Sequence, residues 1–216
     1  MVVVTWMADI ASLVSRGTDP DATRRLLLQA AYAEILRHGY QAASLTRILQ
    51  DTGLTKGALY HHFDNKRALG FAVIDEVIAP MVHRYWIAPL ARHDGDPIGS
   101  ISECIGMAAG RIDDETLRLG CPLNNLAQEM SPIDEGFRQR IGAVFAQWRL
   151  ALANALEQGV ADGVVVANID PEAVSIFLVA ALEGCLGMAK TTQDRDMLLA
   201  CGSGILDYLE RLRINS

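Results

Sequence analysis

Apolar positions recur every three or four residues along most of the chain and seldom every second residue, a pattern that predicts helices throughout. Between Ala22 and His38, Leu27, Ala31 and Ile35 share one face with Leu28 and Tyr32 beside them, and Gly39 stands as a stop signal. Ser44 is placed to cap a short helix through Asp51, which Gly53 would end as a left-handed residue. Thr55 can cap a third helix from Lys56 to about His62, and Asp64 or Asn65 a fourth. That fourth helix is expected from Lys66 toward Arg92, disturbed at Pro80 and Pro89 because a proline ring removes a backbone donor. After the turn Asp94-Gly95-Asp96-Pro97 come a helix to about Arg111, a short one after Pro122, and a long one from Pro132 to Ala161 with Ser131 as N-cap. Two more open at Asp170-Pro171 and near Arg195, the last running to Arg213. Val164-Val165-Val166, the main β-branched run, lies between Gly163 and Asn168 and reads as loop. The fold class is all-α.

Half of the 216 residues are hydrophobic, too many for a disordered chain. Charged residues or glycine break every apolar run well short of the roughly 18 residues that span a bilayer, so no membrane partner is expected. Residues 1–20 open on Val2-Val3-Val4 with no basic residue ahead of them, and Asp9 interrupts the run, unlike a secretory signal. This segment is expected to be a flexible N-terminal arm, with Met7 as an alternative start. Cys104, Cys121, Cys185 and Cys201 are widely spaced and form no Cys-x-x-Cys pair, which fits a reducing, cytoplasmic setting better than a disulfide scaffold. Cys104, Cys185 and Cys201 lie in apolar helical patterns and read as core.

A net charge of −7 argues against an anionic partner until the charge is mapped. Between Ala22 and Arg67, seven basic residues face three acidic ones, a net of +4. From Met81 onward, 18 acidic and 11 basic residues give −7. A basic head on an acidic body suits a nucleic-acid partner at one end and another task at the other.

The three short helices around Gly53 make a helix-turn-helix candidate, because their faces sort cleanly. Ile48, Leu49, Leu54, Leu59 and Phe63 supply a buried side, and Lys56, Gly57, Tyr60 and His61 fall opposite on the third helix. Lys56 and His61 can donate to base acceptors in a major groove, Gly57 lets the backbone approach closely, and the Tyr60 hydroxyl can reach a phosphate. Ser44, Arg47 and Lys66 lie at or near helix starts, where hydroxyls, cations and free amides suit phosphate. The neighbours His61 and His62 diverge by about 100 degrees on a helix and cannot easily share one ion, so no metal is assigned there.

The run from Ser44 through Gly53-Leu54-Thr55-Lys56-Gly57-Ala58-Leu59-Tyr60-His61-His62-Phe63, followed by Asp64-Asn65-Lys66-Arg67-Ala68-Leu69, resembles the DNA-binding signature of the TetR family of transcriptional regulators. The likeness extends back to Ala30-Ala31 and Gly39-Tyr40 and covers about a fifth of the chain. It implies a homodimer that binds double-stranded palindromic operator DNA and is released when a small-molecule effector occupies the C-terminal body. By that resemblance Lys56, Gly57, Ala58, Tyr60 and His61 match base-proximal positions. Ser44, Arg47, His62 and Lys66 match positions near the backbone, and Thr55 joins the set as the cap of the recognition helix. Leu49 departs from the family, which usually carries a small alanine there. The expected domains are the arm at 1–20, the helix-turn-helix head at 21–68, and an effector-binding and dimerisation body at 69–216.

In the body, the helices near Pro171–Lys190 and Arg195–Arg213 carry Ala180, Ala181, Gly184, Gly187, Ala200, Gly202 and Gly204. Small residues let helices approach closely, as at a dimer interface or in an intramolecular pair. The resemblance favours the two-fold arrangement, with Ala180, Ala181, Gly184, Gly187, Ala200 and Gly204 at the interface. Candidate effector-lining residues mix apolar walls with a few polar groups: Tyr85, Trp86, Met107, Asn124, Asn125, Gln128, Phe145, Trp148 and Phe177. Gly120-Cys121-Pro122 and the segment after it are similar to a subgroup of these regulators in which some members sense electrophiles or oxidants through cysteine. Cys121 at a helix start would have its thiol pKa lowered; the bland alternative is a buried, inert cysteine. No cofactor motif is present, and an enzyme using Cys121 with His83 or His93 lacks a recognisable catalytic constellation. An architectural DNA-binding protein without ligand is the other alternative, against which the large acidic body argues.

Overall fold

The computed structural model describes residues 20–92 and 95–214; the expected arm, apart from Pro20, lies outside the described residues, as does His93. Helices follow in the order α1 Pro20–His38, α2 Leu45–Thr52, α3 Lys56–His62, and α4 opening at Lys66–Val73. Two π-helical turns, Ile74–Ile78 and His83–Ile87, alternate with Ala79–Val82 and Ala88–Leu90 in the remainder of α4. Each π turn holds the residue four before a proline, Glu76 for Pro80 and Tyr85 for Pro89, whose carbonyl the ring would crowd in an α-helix. Then come α5 Pro97–Gly110, α6 Asp114–Leu119, α7 Pro122–Met130, α8 Glu135–Ala161, α9 Pro171–Thr192 and α10 Arg195–Glu210. No strand occurs among the described residues, and Val165 meets Arg213 in an isolated antiparallel bridge.

Packing divides the described residues into two compact units, one of residues 20–80 and 122–142, the other of residues 81–92, 95–121 and 143–214. These cut the chain elsewhere than the expected head and body, because α7 and the opening turns of α8 pack with the N-terminal helices. In the first unit α1 buries Leu27, Leu28, Ala31, Tyr32, Ile35 and Leu36. Phe137 of α8 is fully buried between the rings of Tyr40 and Phe71, with centroids 4.5 and 5.0 Å away. Gly70 is required there, since a Cβ would come within 2.5 Å of the Tyr40 ring and 2.8 Å of Phe137. Glu129 of α7 accepts the backbone N–H groups of Tyr40 and Gln41 at 2.7 and 2.8 Å.

The second unit is built on Ile98, Ile101, Cys104 and Ile105 of α5, Trp148, Leu152 and Leu156 of α8, Leu178 and Val179 of α9, and Ile205 and Leu209 of α10. α9 packs along α10 and against α6. By length and composition α9 is apolar enough to cross a bilayer, which the count of uninterrupted apolar residues did not register; here it forms part of the packed core.

Three expectations change. The long helix starts at Glu135, not Pro132, because the Asp134 carboxylate captures the N–H groups of Gly136 and Phe137 at 2.8 and 3.2 Å and leaves Ser131-Pro132 in a turn. α6, capped by Asp113 on the Thr116 N–H at 2.7 Å, was not foreseen. Cys185 and Cys201, read as separate core thiols, are joined in a disulfide between α9 and α10 with their Cα atoms 5.8 Å apart.

Candidate nucleic-acid interface

The turn between α2 and α3 is held by its own side chains. The Ser44 hydroxyl accepts the Arg47 N–H at 3.4 Å and the Thr55 hydroxyl accepts the Ala58 N–H at 3.2 Å, so each short helix is capped from within. Between them Gly53 adopts φ 68°, where a Cβ is strained, and the Thr52 hydroxyl donates to the Ile48 carbonyl at 2.9 Å. Asn65 caps α4 through the Ala68 N–H at 2.9 Å.

Beneath this turn lies Glu34, a residue the sequence reading passed over although its position three residues after Ala31 puts it on the apolar stripe of α1. Its carboxylate accepts the Ser44 N–H at 2.8 Å and the Arg47 Nε–H at 2.7 Å, and Arg47 also donates to the Ala42 carbonyl at 2.9 Å. Burial alone would raise its pKa, but the Arg47 and Ser44 donors and the charges of Arg47 and His38 outweigh it and hold the carboxyl below its ordinary range. Arg47 therefore directs much of its charge inward. Lys66 does the same, donating to the Gln41 carbonyl at 2.9 Å with its ammonium 4.9 Å from the centre of the Tyr40 ring. Burial lowers the Lys66 pKa, against the pull of Glu129 and Glu34.

α3 is anchored by Leu59 and the following Phe63, both buried, while Ile48 is buried on α2 and Leu49 and Leu54 are half-buried. Arg24 of α1 donates to the His62 carbonyl at 3.2 Å and lies 4.4 Å from the centre of the Phe63 ring, which holds the end of α3. On the opposite side Thr55, Lys56, Gly57, Tyr60 and His61 are exposed, with Ala58 and His62 half-buried. Tyr60 is 51% exposed, a large ring left in solvent. A Cβ on Gly57 would meet only the Thr55 hydroxyl, at 3.7 Å, so intrachain packing does not call for glycine there. The result is a rigid, self-capped helix presenting lysine, tyrosine, histidine and bare backbone.

A model of bacterial regulatory proteins of the tetR family matches residues 27–73, and one of the LmrA/YxaF-like transcriptional regulator C-terminal domain matches residues 97–203. The chain belongs to the TetR family of transcriptional regulators. It is 28% identical over 176 residues to an uncharacterised HTH-type transcriptional regulator of Lactococcus lactis, covering 82% of this chain and 87% of that one. It is 23% identical over 175 residues to the HTH-type transcriptional repressor DhaR of a Mycobacterium species, covering 81% and 86%. A TetR-family regulator from Agrobacterium tumefaciens superposes with a TM-score of 0.79 at 26% identity, covering 91% of this chain and all of that one. TetR-family proteins are DNA-binding transcriptional regulators, and the helix-turn-helix of this TetR-family chain is the α2–α3 pair.

The residues expected at the effector divide between the two units of this TetR-family fold. Asn124, Asn125 and Gln128 lie on α7 in the first; Tyr85, Trp86, Met107, Cys121, Phe145, Trp148 and Phe177 belong to the second. The Trp86 and Trp148 rings are 4.7 Å apart in the core, with Phe145 packed against the same cluster. Arg111 lies 4.6 Å from the centre of the Tyr85 ring; Met107 is exposed; Phe177 is exposed on α9, 4.9 Å from Tyr208. Two surface grooves of about 510 and 530 Å³ in the second unit, one lined by His83, Ile87, Leu150 and Asn154 and the other by Arg92, Asp96 and Glu103, involve none of the expected residues. Instead, buried polar atoms stand out: Ser102 Oγ, Trp148 Nε1 and Glu183 Oε2 have no hydrogen-bond partner among the described residues. Cys121, partly exposed, donates its thiol to Glu183. Glu183 was not singled out because a single acid in the apolar run of α9 carries no local sign of its burial. Of the expected interface residues, Ala180, Gly184, Ala200 and Gly204 are exposed and Ala181 and Gly187 half-exposed; a Cβ at Gly184, Gly187 or Gly204 would meet nothing within 4 Å.

Proposed function

We infer that the protein is an effector-responsive repressor whose dimer binds palindromic operator DNA through two copies of α3 and lets go when a small molecule or thiol-reactive compound engages the body. The observation that carries this reading is the exposed Lys56, Gly57, Tyr60 and His61 face of a helix anchored by Leu59 and Phe63. Lys56 and His61 read base edges, Gly57 and Ala58 admit the backbone to the groove, and Tyr60 reaches phosphate. Ser44, Thr55 and His62 lie near the phosphates, while Arg47 and Lys66 brace the turn and contribute their remaining donors. The head at 21–68 does the reading, and the body at 69–216 senses and dimerises, in the cytoplasm.

Dimerisation is supported by the exposed small residues of α9 and α10, flanked by exposed Ile176, Phe177, Met188 and Leu199. Effector control requires the ligand to favour one of two head spacings. A gel shift with promoter DNA of its own or a neighbouring gene tests the reading: Lys56→Ala and Tyr60→Ala each weaken binding about tenfold or more. Unchanged binding by both variants removes the assignment of α3 as the reading helix.

A further inference from the structure

Glu183 lies on the inner side of α9, 7% exposed, between Val179 and Leu186 of the second unit's core. The Cys121 thiol donates to its carboxylate, and Oε2 has no hydrogen-bond partner among the described residues. Neither protonation state answers that oxygen, since the ionised group lacks a donor and a protonated one lacks an acceptor. Burial pushes the carboxyl up to about 7, with the thiol donor pulling the other way, and no cation takes part. The charged residues of the helices around it do not shift it: Glu103 on α5, Asp114, Glu115 and Arg118 on α6, Arg149 and Glu157 on α8, Arg195, Asp196, Asp207 and Glu210 on α10, or Glu172 and Lys190 on α9 itself. Buried charges are as a rule paired, and this one has no counter-ion among the described residues. Two more unanswered atoms belong to the same core, Ser102 Oγ on α5 and Nε1 of Trp148 on α8, a ring only 3% exposed. Native interiors satisfy nearly all such groups, yet α5, α8 and α9 each leave one in a single core. The Trp148 ring lies 4.7 Å from that of Trp86, and indole faces attract cations. From Met81 onward the net charge of −7 draws cations toward this part of the chain.

We propose that the core of the second unit binds an organic amine that carries an oxygen acceptor, with Glu183 as counter-ion of the ammonium and Trp86 and Trp148 as its aromatic wall. An ammonium N–H donates to Glu183 Oε2 and supplies at once the missing donor and the missing charge. The Trp148 N–H and the Ser102 hydroxyl donate to the oxygen of the same ligand. A neutral ligand would leave the carboxylate charge buried and uncompensated, and an anion would set a second negative charge beside it. The pair of indoles and the lone carboxylate therefore select cations. This assignment deepens the reading of the body as the effector-sensing part and rests on it.

Isothermal titration calorimetry of the full chain compares tyramine, a cation from about pH 6 to about pH 8, with tyrosol, which keeps the ring and phenol but has a hydroxyl in place of the ammonium. Tyramine affinity is expected to rise about tenfold across that range as Glu183 ionises, while tyrosol affinity stays level. Glu183→Gln should weaken tyramine at about pH 8 by about tenfold or more, flatten its pH profile and spare tyrosol. Trp148→Phe should weaken both probes by about fivefold. Absence of tyramine binding, a flat wild-type profile, or tyramine no tighter than tyrosol near about pH 8 overturns the proposal. These wild-type results decide by themselves should Glu183→Gln not fold. An unchanged affinity of Trp148→Phe for both probes overturns the placement of the site at the indoles. Gel shifts of the same samples separate the two readings: tyramine binding with the expected profile but no DNA release upholds the site and overturns amine-triggered release. Release that persists undiminished in Glu183→Gln overturns Glu183 as the counter-ion.

Discussion

Glu34 in the first unit and Glu183 in the second are both buried carboxylates, 5% and 7% exposed, yet their surroundings treat them in opposite ways. Glu34 is met by a guanidinium and a backbone amide, and its negative charge is what orders the Ser44–Arg47 turn. Glu183 is met by one weak thiol donor, its Oε2 has no hydrogen-bond partner among the described residues, and burial makes it resist ionisation. Beneath α3 buried polarity is answered by charged and backbone donors; in the second unit it is left largely unanswered.

The contrast has a sign in pH. Glu34, with a folded pKa below its unfolded value, adds stability above about pH 4.5, and that stability is lost as pH falls through the lowered value. Glu183, raised to about 7, does the reverse: the native state holds a proton that the unfolded chain has released, so stability falls as pH climbs from about 4.5 to about 7 and stays reduced above it.

The strongest test of the contrast is Glu183→Gln. Near pH 8 it should stabilise the protein by on the order of 3 kcal/mol, a gain that vanishes below about pH 4.5. Urea unfolding at the two pH values measures this, and an equal effect at both would erase the distinction between the carboxylates. Glu34→Gln should act the other way, destabilising by about 2 kcal/mol at neutral pH, a figure discounted because Arg47 is half-exposed, and weakening operator binding in a gel shift. A neutral result would mean that the turn is ordered by its caps alone. The smallest effect belongs to Gly53→Ala, which strains the left-handed position at φ 68° for about 1 kcal/mol of stability, read as a lowered melting temperature.

What the sequence revealed follows the range of the interactions involved. Ser44, Thr55 and Asn65 were legible because each side chain holds the amide three residues on, Gly53 because it ends a helix in the left-handed region, and the displayed and buried faces of α3 follow from helical spacing alone. α6 was missed because six residues are too few to show a period. The start of α8 was misplaced because Ser131 and Asp134 are both good caps; Asp134 also holds Arg67 at 2.7 Å, a partner that no local pattern shows. Cys185 with Cys201, and Cys121 with Glu183, come together only through the packing of different elements. The faces of α3 were therefore legible in the sequence, and the contacts that join separate elements of the second unit were not.

The clasp of Glu129 on the amides of Tyr40 and Gln41 carries a consequence for the chain as it is made. At about 5–20 residues per second, residue 129 leaves the ribosome roughly 4–18 s after residue 41. For that interval the helix-turn-helix segment exists without the carboxylate that fixes its entry loop and without Phe137 beneath Tyr40. The half-made protein holds α2 and α3 without the full support of their entry loop, which arrives only when more than half of the polypeptide has been synthesised.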